Sequence, residues 1–476
     1  MIGADGELPP HPGPLPEGGE GAPFRRIGAL GTPALRSLFV TDPETRNDAP
    51  PAGEISCLAE HLFRQESGKL VSVLTGLFGI ERLQMAEDVV QEALVRALQT
   101  WPYYGIPKNP AAWLTQTAKN LALDLLRREK VFHAKQAAII TFIEQRSPRG
   151  EDDTPLLEGE IKDDRLQLMF AWCHPLVPQE SQAALALKTL CGFSPREIAT
   201  AFLTSEAAIE KRLVRARQRI RELDLRFEIP AGEELMSRLD SVLQTLYLLF
   251  NEGYKASSGE SLIREELCYE AIRLTALLAE QPAGNQARTH ALLALMLLNA
   301  ARLSSRTDPD GNLLRLKEQD RSSWDKPMIA RGMLHLAQSA GGEEMTAYHL
   351  QAGIAACHCA AQDYESTDWQ QIQRLYDQLI KLDDSPIIAL NRAVAVGKVH
   401  GPEAGLKALA SVQQRDGLKS YHLFYAVLGE FESQLNHTQA AAEYFRKSLA
   451  LAELKSERRF LFKRLQETEA RSVAAP

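Results

Sequence analysis

The densest set of positively charged side chains lies in the segment SEAAIEKRLVRARQRIR, residues 205–221. Apolar residues recur there at helical spacing, and no acidic residue interrupts the cations between Lys211 and Arg221. An amphipathic helix with cations of one sign can enter the major groove of DNA and neutralise phosphates. The alternative is an ordinary solvated helix, which typically interleaves its cations with Glu or Asp. We therefore expect a DNA-binding helix.

A shorter apolar pattern precedes this helix and predicts a helix-turn-helix. Ser194 is placed to cap a helix that begins at Pro195, and Glu197 completes the Ser-x-x-Glu capping box. Ser205 is a second N-cap candidate after a break at Leu203 and Thr204. Two short helices joined by a tight turn form the common DNA-reading unit.

An acidic helix is predicted nearer the N-terminus, in AEDVVQEALVRALQTW, residues 86–101. Its outer face carries Glu87, Asp88, Gln91 and Glu92, which taken alone is also typical of a solvated face. A loop is predicted over Trp101–Pro110, where three prolines and one glycine cluster. The stripe predicted to be buried consists of Val89, Val90, Ala93, Leu94 and Leu98.

The helix that follows this loop, PAAWLTQTAKNLALDLLRREK, has a polar and basic edge. An Asn amide such as that of Asn120 can pair with the Watson–Crick edge of an unstacked base, and neighbouring cations can hold its backbone. A basic helix C-terminus stabilised by the helix dipole explains the same residues equally well. The cations of this edge are Lys119, Arg127, Arg128 and Lys130.

The length of the chain, 476 residues, and the breaks in its helical pattern predict several domains. We predict an all-α protein, because no segment alternates like a strand. The predicted divisions are a disordered segment 1–53, a helical domain 54–131, a flexible linker 132–162, a helix-turn-helix module 163–228 and a helical extension 229–476. The net charge is −8, and acidic and basic residues are concentrated in different segments of the chain. This separation favours two kinds of binding surface.

Composition and motifs argue against several classes of protein. No apolar run is long enough to cross a membrane and no secretion signal is visible, so we expect a cytoplasmic protein without membrane contact. Nucleotide-binding and hydrolase motifs are missing, so we predict no catalytic residue and no cofactor. The adjacent Cys357, His358 and Cys359 lack a second ligand pair, and we predict core cysteines and no metal site.

The order of these parts resembles the extracytoplasmic-function group of bacterial RNA polymerase sigma factors, over roughly residues 54–227. This resemblance implies that the acidic helix binds core RNA polymerase, on the clamp coiled coil of its largest subunit, with a further contact at the flap. The implied contacts to core polymerase are Glu87, Asp88, Gln91 and Glu92. It also implies two contacts with promoter DNA. Residues Lys119, Asn120, Asp124, Arg127 and Arg128 would melt and read the −10 element; Ser205, Glu210, Lys211, Arg212, Val214 and Arg215 would read the −35 element.

The long extension departs from most of that family and resembles one subgroup with a fused tetratricopeptide-like helical array. The segments YLLFNEGYKAS and NLLRLKEQDRSSWD carry this resemblance, and Leu428, Gly429, Ala441 and Phe445 fall at tetratricopeptide spacing. We expect the extension to regulate the protein through a partner protein or a ligand. A conventional helix-turn-helix regulator with a tetratricopeptide sensor is the alternative, and a scaffold with incidental basic helices is a third.

One further motif, Asn251 to Tyr254, interrupts an apolar helix with polar residues. A buried polar turn there could bind a ligand or hold the extension in place. A helix end with Gly253 as its C-terminal stop is the simpler interpretation.

Overall fold

The computed structural model describes residues 66–76, 78–79, 82–128, 163–202, 204–222, 233–256, 263–308, 312–342, 344–412, 418–419, 421–452 and 454–474. These residues are almost entirely helical and contain no strand, only an isolated bridge between Thr307 and Leu313, so the all-α prediction is confirmed. They form two compact units. The first contains described residues between 66 and 198 and those of 205–242; the second contains 199–204 and 243–474. The predicted segments 1–53 and 132–162 lie outside the described residues.

Among the described residues, seven helices precede residue 223. They are α1 (66–76), α2 (Leu83–Tyr104), α3 (Pro110–Arg128), α4 (Asp164–Trp172), α5 (Gln179–Leu190), α6 (Pro195–Ala201) and α7 (Glu206–Glu222).

Eleven helices follow among the described residues. They are α8 (Glu233–Tyr254), α9 (Glu265–Glu280), α10 (Ala287–Ala300), α11 (Lys326–Ser339), α12 (Ala347–Ala360), α13 (Trp369–Leu382), α14 (Pro386–His400), α15 (Pro402–Ala410), α16 (His422–Gln434), α17 (Thr438–Leu451) and α18 (Lys455–Ala474). The compact units divide inside α8, after Val242, whereas the sequence predicted a division after residue 228.

Helix α2 differs from its prediction at its C-terminal end. It continues through Pro102 to Tyr104, where a loop was predicted, and it ends two residues after the proline. Leu98 is 43% exposed, so its assignment to the buried stripe was wrong; Ala97 and Trp101 are buried instead. The Trp101 and Trp113 rings pack edge to face with centroids 5.6 Å apart, which joins α2 to α3.

The helices near the C-terminus pack closely at small residues. Gly429 of α16 lies against the Phe445 ring of α17, where an added Cβ would come within 3.0 Å. Ser448 of α17 is buried, and its hydroxyl donates to the carbonyl oxygen of His422, the first residue of α16, at 2.8 Å. A serine is tolerated in this buried position because its hydroxyl has a partner.

The Phe431 ring of α16 fills a gap bounded by two glycines. A Cβ on Gly397 of α14 would lie 2.4 Å from that ring, and one on Gly405 of α15 would lie 2.5 Å from it. Three helices therefore meet at a single aromatic side chain.

Gly253 does not act as the helix stop that the sequence suggested. Helix α8 passes through Gly253 and ends at Tyr254, and Gly253 is not among the glycines with positive φ. Its missing side chain lets α8 approach α9, since a Cβ would come within 2.6 Å of the Cys268 backbone nitrogen. The glycine is needed for close helix packing.

No described helix is both long and apolar enough to span a bilayer. Within the described part of the chain, no three potential metal-ligating side chains come together. Cys173, Cys191 and Cys268 are buried thiols, and Cys357 and Cys359 are half-buried on α12. Cys57 lies outside the described residues.

Candidate nucleic-acid interface

The turn between α6 and α7 is fixed by side-chain caps at both helix starts. The Glu197 backbone N–H donates to Ser194 Oγ at 3.2 Å, and the Ser194 N–H donates to Glu197 Oε2 at 2.7 Å. This is the reciprocal capping box expected from the sequence. Ser205 caps α7 through one hydrogen bond, in which its Oγ accepts from the Ala208 N–H at 3.3 Å. The caps set where each helix begins and so orient α7.

Helix α7 has one buried and one exposed face. Ile209, Leu213 and Ala216 are buried. Val214 is 62% exposed although it is apolar, and its neighbour Arg215 is exposed as well. Glu210 lies exposed one turn earlier. An exposed valine among polar side chains is suited to contact with an apolar group such as a thymine methyl.

Two predicted reading residues are less accessible than the rest. Lys211 is half-buried, and the Arg212 guanidinium lies 3.5 Å from the Glu180 carboxylate of α5. Arg212 therefore already has an acidic partner within the first unit. Ser205, Glu210, Val214 and Arg215 form the exposed part of the predicted −35 surface.

The acidic face of α2 is only partly exposed. Asp88, Gln91 and Glu92 are accessible. Gln84 Nε2 donates to Asp88 Oδ1 at 2.9 Å, and Arg96 Nε donates to Glu92 Oε1 at 3.2 Å. Such pairs one turn apart are typical of a solvated helix surface and contribute little stability.

Glu87 differs from the other residues of this face because it binds a cation of α7. Both of its carboxylate oxygens accept hydrogen bonds from Arg217 Nη2, each at 2.8 Å. Burial raises the pKa of the Glu87 carboxyl, while Arg217 acts in the opposite direction. The sequence could not reveal this pair, since its partners are separated by 130 positions. The predicted polymerase-binding and DNA-binding helices are thus joined by an ion pair.

A second close contact brings the same two modules together. Gly68 of α1 lies against the C-terminal end of α5, where an added Cβ would clash with the Leu190 carbonyl oxygen. Nearby, Lys188 of α5 acts electrostatically on Glu87. Within the first unit, α1 therefore packs against α5, and α2 contacts α7.

The predicted −10 residues on α3 separate into exposed and buried members. Asn120 is exposed, and its side-chain oxygen accepts a hydrogen bond from Gln116 Nε2 at 3.1 Å. Asp124 is exposed one turn later. Lys119 is only 6% exposed, and burial lowers its pKa. The side chains of Arg127 and Arg128 lie outside the described residues, although both belong to α3 by backbone.

Arg238 of α8, which the sequence analysis did not single out, stabilises the first unit. Arg238 is buried, and its guanidinium donates to the Phe170 carbonyl of α4 at 3.0 Å and pairs with Glu234. No sequence signal distinguishes this arginine from a solvated one, because its partner is a backbone carbonyl far away in the chain.

Comparison with known proteins agrees with this arrangement of helices. Residues 62–131 match the family described as Sigma-70 region 2, residues 173–220 match Sigma-70, region 4, and residues 238–340 match a family of unknown function, DUF6596. The chain is 37% identical over 383 residues to the uncharacterized protein R00370 of Rhizobium meliloti (strain 1021), covering 80% of this chain and 89% of that protein.

A second relative carries a functional name. The chain is 32% identical over 147 residues to the probable RNA polymerase sigma factor RfaY of Xanthomonas campestris pv. campestris, covering 30% of this chain and 35% of that protein. No solved structure matches the chain.

Proposed function

Because the chain is an RNA polymerase sigma factor that belongs to the family of the Rhizobium meliloti protein R00370, we propose that it is of the extracytoplasmic-function type and divides promoter recognition between α3 and α7. Helix α7 reads the −35 element, and α3 reads the −10 element and helps to open the duplex. The observation that carries this proposal is the exposed pair Val214 and Arg215 on a helix whose opposite face is buried.

Core RNA polymerase binds the acidic face of α2 in this proposal. Asp88, Gln91 and Glu92 are accessible to a basic partner surface without rearrangement. Glu87 would have to leave Arg217 before it could contact the polymerase. Binding of core enzyme and the Glu87–Arg217 ion pair therefore compete.

On α3, the exposed amide of Asn120 is the group proposed to bind the flipped base of the −10 element. Lys119 belongs to the proposed −10 surface as well, but its buried amino group must become exposed before it can contact DNA. We assign Asp124, Arg127 and Arg128 to the backbone next to that base.

The second unit is proposed to regulate the first. Its helix pairs, which join α14 to α15 and α16 to α17, bury small residues as tetratricopeptide-like units do, and such arrays present surfaces to partners. The fusion of such an array to a sigma factor supports the proposal that the second unit regulates the first.

Reconstituted transcription tests the proposal. Purified core RNA polymerase lacking any other sigma factor would be mixed with the full chain and a library of genomic promoter fragments. We expect a stable complex and initiation from a defined set of promoters. If the chain binds DNA specifically but neither forms this complex nor supports initiation, it acts as a conventional helix-turn-helix regulator.

A further inference from the structure

Two histidines of the second unit face each other where α10 packs against α11. His290 of α10 is buried and His335 of α11 is half-buried, and their Nδ1 atoms lie 3.0 Å apart. The two rings are nearly parallel, with an angle of 14° between their planes. A hydrogen bond at this distance requires that one Nδ1 carries a proton and that the other accepts it.

Asn285, in the loop before α10, determines which nitrogen of His290 is protonated. Its side-chain Oδ1 lies 2.9 Å from His290 Nε2. A carbonyl oxygen only accepts hydrogen bonds, so His290 Nε2 carries the proton and His290 Nδ1 keeps its lone pair. His335 is therefore the donor of the histidine pair, through its own Nδ1.

The surroundings of His290 are those of a metal ligand. A histidine that binds a metal ion uses one ring nitrogen for the ion and donates the N–H of the other to an oxygen, which fixes the tautomer and the ring orientation. Asn285 supplies such an oxygen for His290. On α11, Gln338 hydrogen-bonds the His335 ring and is the corresponding amide.

The separation of the two Nδ1 atoms matches two ligands at right angles on one metal ion. With metal–nitrogen bonds of about 2.0–2.1 Å, ligands at a right angle lie roughly 2.8–3.0 Å apart, and those of a tetrahedral ion lie roughly 3.3–3.4 Å apart. The observed 3.0 Å agrees with the right-angle geometry. Cu²⁺ and Ni²⁺ prefer this geometry, and imidazole is a suitable ligand for both.

The histidine pair lies in the wall of an open cleft, so an ion can reach it. The cleft has a volume of about 720 Å³ and is lined by α9, α10, α11 and the segment that follows α11. Apart from the histidines, the charged residues that line it in the described part of the chain are Glu280 and Arg331, whose charges offset each other. No third potential ligand side chain joins the pair among the described residues, so water would occupy the remaining positions around a bound ion.

Both histidines are neutral at neutral pH, which is the form that binds metal ions. Burial lowers the pKa of His290 below the ordinary value of 6.5. Burial also lowers the pKa of His335, and His290 and Arg331 lower it further, whereas Gln338 acts in the opposite direction. Protons therefore do not compete with a metal ion for the pair above pH 6.5.

We propose that His290 and His335 bind one Cu²⁺ or Ni²⁺ ion as neighbouring ligands, and that this ion replaces the proton between their Nδ1 atoms. The displaced proton moves to Nε2 of His335, so both rings stay neutral. Both histidines belong to residues 238–340, which match the family of unknown function. The site lies within the second unit and is independent of promoter recognition.

Isothermal titration calorimetry with Ni²⁺ tests the site on the full-length chain, prepared without a histidine tag. Ni²⁺ is the probe because imidazole suits it, whereas thiolates select softer ions. We expect one Ni²⁺ to bind per chain, and Mg²⁺, which prefers oxygen ligands, not to compete. His290→Gln and His335→Gln should each weaken binding by about tenfold or more, since one ligand is lost. His400→Gln, which removes an exposed histidine of α14, should not change it.

Asn285→Ala distinguishes a metal site from a packing role of the two histidines. It keeps both ligands but removes the oxygen that accepts from His290 Nε2, and should weaken Ni²⁺ binding by about 10- to 100-fold. Gln286→Ala is the matched control, because Gln286 lines the same cleft but its side chain donates to the Ala283 carbonyl oxygen.

Three results would overturn the proposal. They are failure of the full-length chain to bind Ni²⁺, unchanged binding in the two histidine variants, and equal binding by Asn285→Ala and Gln286→Ala. Circular dichroism verifies that each variant is helical. If a histidine variant fails to fold, Asn285→Ala decides the matter, because Asn285 is exposed in a loop.

Discussion

Arg215 and Arg219 carry the same charge on the same helix but have different surroundings. Arg215 is exposed beside Val214, whereas Arg219 lies near Glu222 and donates to the Leu176 carbonyl oxygen. We expect Arg215→Ala to weaken binding to the upstream promoter element by about 1–3 kcal/mol, because a base contact is lost. Electrophoretic mobility shifts with matched and mutated −35 elements measure this effect.

Arg219→Ala is the control for the loss of one positive charge on α7. It should weaken binding less and to a similar extent on both DNA sequences, as expected for a phosphate contact. Equal, sequence-independent losses in both variants would show that Arg215 does not read bases.

Asn120 and Gln116 form a second matched pair, on α3. Asn120→Ala should leave binding to duplex promoter DNA unchanged but slow its opening, because the amide that binds the unstacked base is removed. Permanganate reactivity of unpaired thymines measures opening. Gln116→Ala removes the same intrahelical hydrogen bond and should open DNA normally. A defect of equal size in Gln116→Ala would assign the effect to helix structure.

Residue types and spacing predicted the caps of α6 and α7 correctly but not which groups are accessible. Ser194 and Glu197 interact over three positions, so local sequence determines their geometry. Burial of Lys119 and pairing of Glu87 with Arg217 depend on segments that meet only in the folded chain. Such contacts leave no periodic signal in a single sequence.

At the level of helices, the Glu87–Arg217 ion pair joins α2 to α7 and should oppose polymerase binding. We expect Arg217→Gln to raise the affinity of the full chain for core enzyme severalfold, since about 1 kcal/mol corresponds to a factor of about five. Fluorescence anisotropy with labelled protein would measure the affinity. Arg219→Gln, with the same change of charge, should leave it unaltered; weaker binding by Arg217→Gln would mean that the pair supports the binding-competent form.

A second ion cluster joins the ends of α8, α16 and α18. Glu457 lies 3.1 Å from Lys255 and 3.3 Å from His422. Burial would raise the pKa of Glu457, but Lys255 and His422 outweigh it, and the pKa falls well below the ordinary value of 4.5. Burial lowers the pKa of His422 below 6.5.

Both shifts predict loss of stability in acid. Glu457 stabilises the folded chain above pH 4.5, and this contribution is lost as the pH falls further; protonation of His422 below pH 6.5 acts in the same direction. Urea unfolding between neutral pH and about pH 4 measures the slope. Glu457→Gln should flatten the slope below pH 4.5, and Glu469→Gln, an exposed residue of α18, should not. An unchanged slope in Glu457→Gln would rule out this origin.

Helix existence was predictable, whereas helix ends and orientations were less so. The stripe on α2 was assigned to Leu98 because leucine is the more apolar residue, but the packed face presents Ala97 and Trp101. Alanines carry little apolar signal even when they mark the contact surface. Pro102 was interpreted as part of a loop and Gly253 as a helix stop, yet both lie inside helices. Pro102 lies in the last turn of α2, and Gly253 lies where the backbone of α9 comes close to α8.

For the whole molecule, the division into units inside α8 determines where the chain can be cut. The Arg238 hydrogen bond to Phe170 belongs to the first unit, so a chain ending at Pro230 lacks it and one ending at Val242 keeps it. We expect the shorter chain to be less stable by about 1–3 kcal/mol in urea unfolding. Equal stabilities would show that residues 231–242 do not support the first unit.

The chain ending at Val242 also tests regulation by the second unit, provided that circular dichroism shows it to be helical. Its transcription from one promoter would be compared with that of the full chain under several conditions. A difference supports regulation, and identical output under all conditions rejects it. The sequence predicted two DNA-reading modules and an extension, but the boundary between units depends on long-range contacts that no local pattern records.

The meeting of Gly397, Gly405 and Phe431 has an evolutionary consequence. A methyl group at either glycine would overlap the phenyl ring, so neither can mutate alone without distorting three helices. In related chains, alanine or larger residues at the first two positions should therefore accompany a smaller residue at the third. Covariation of these positions would record the shape of this junction across species.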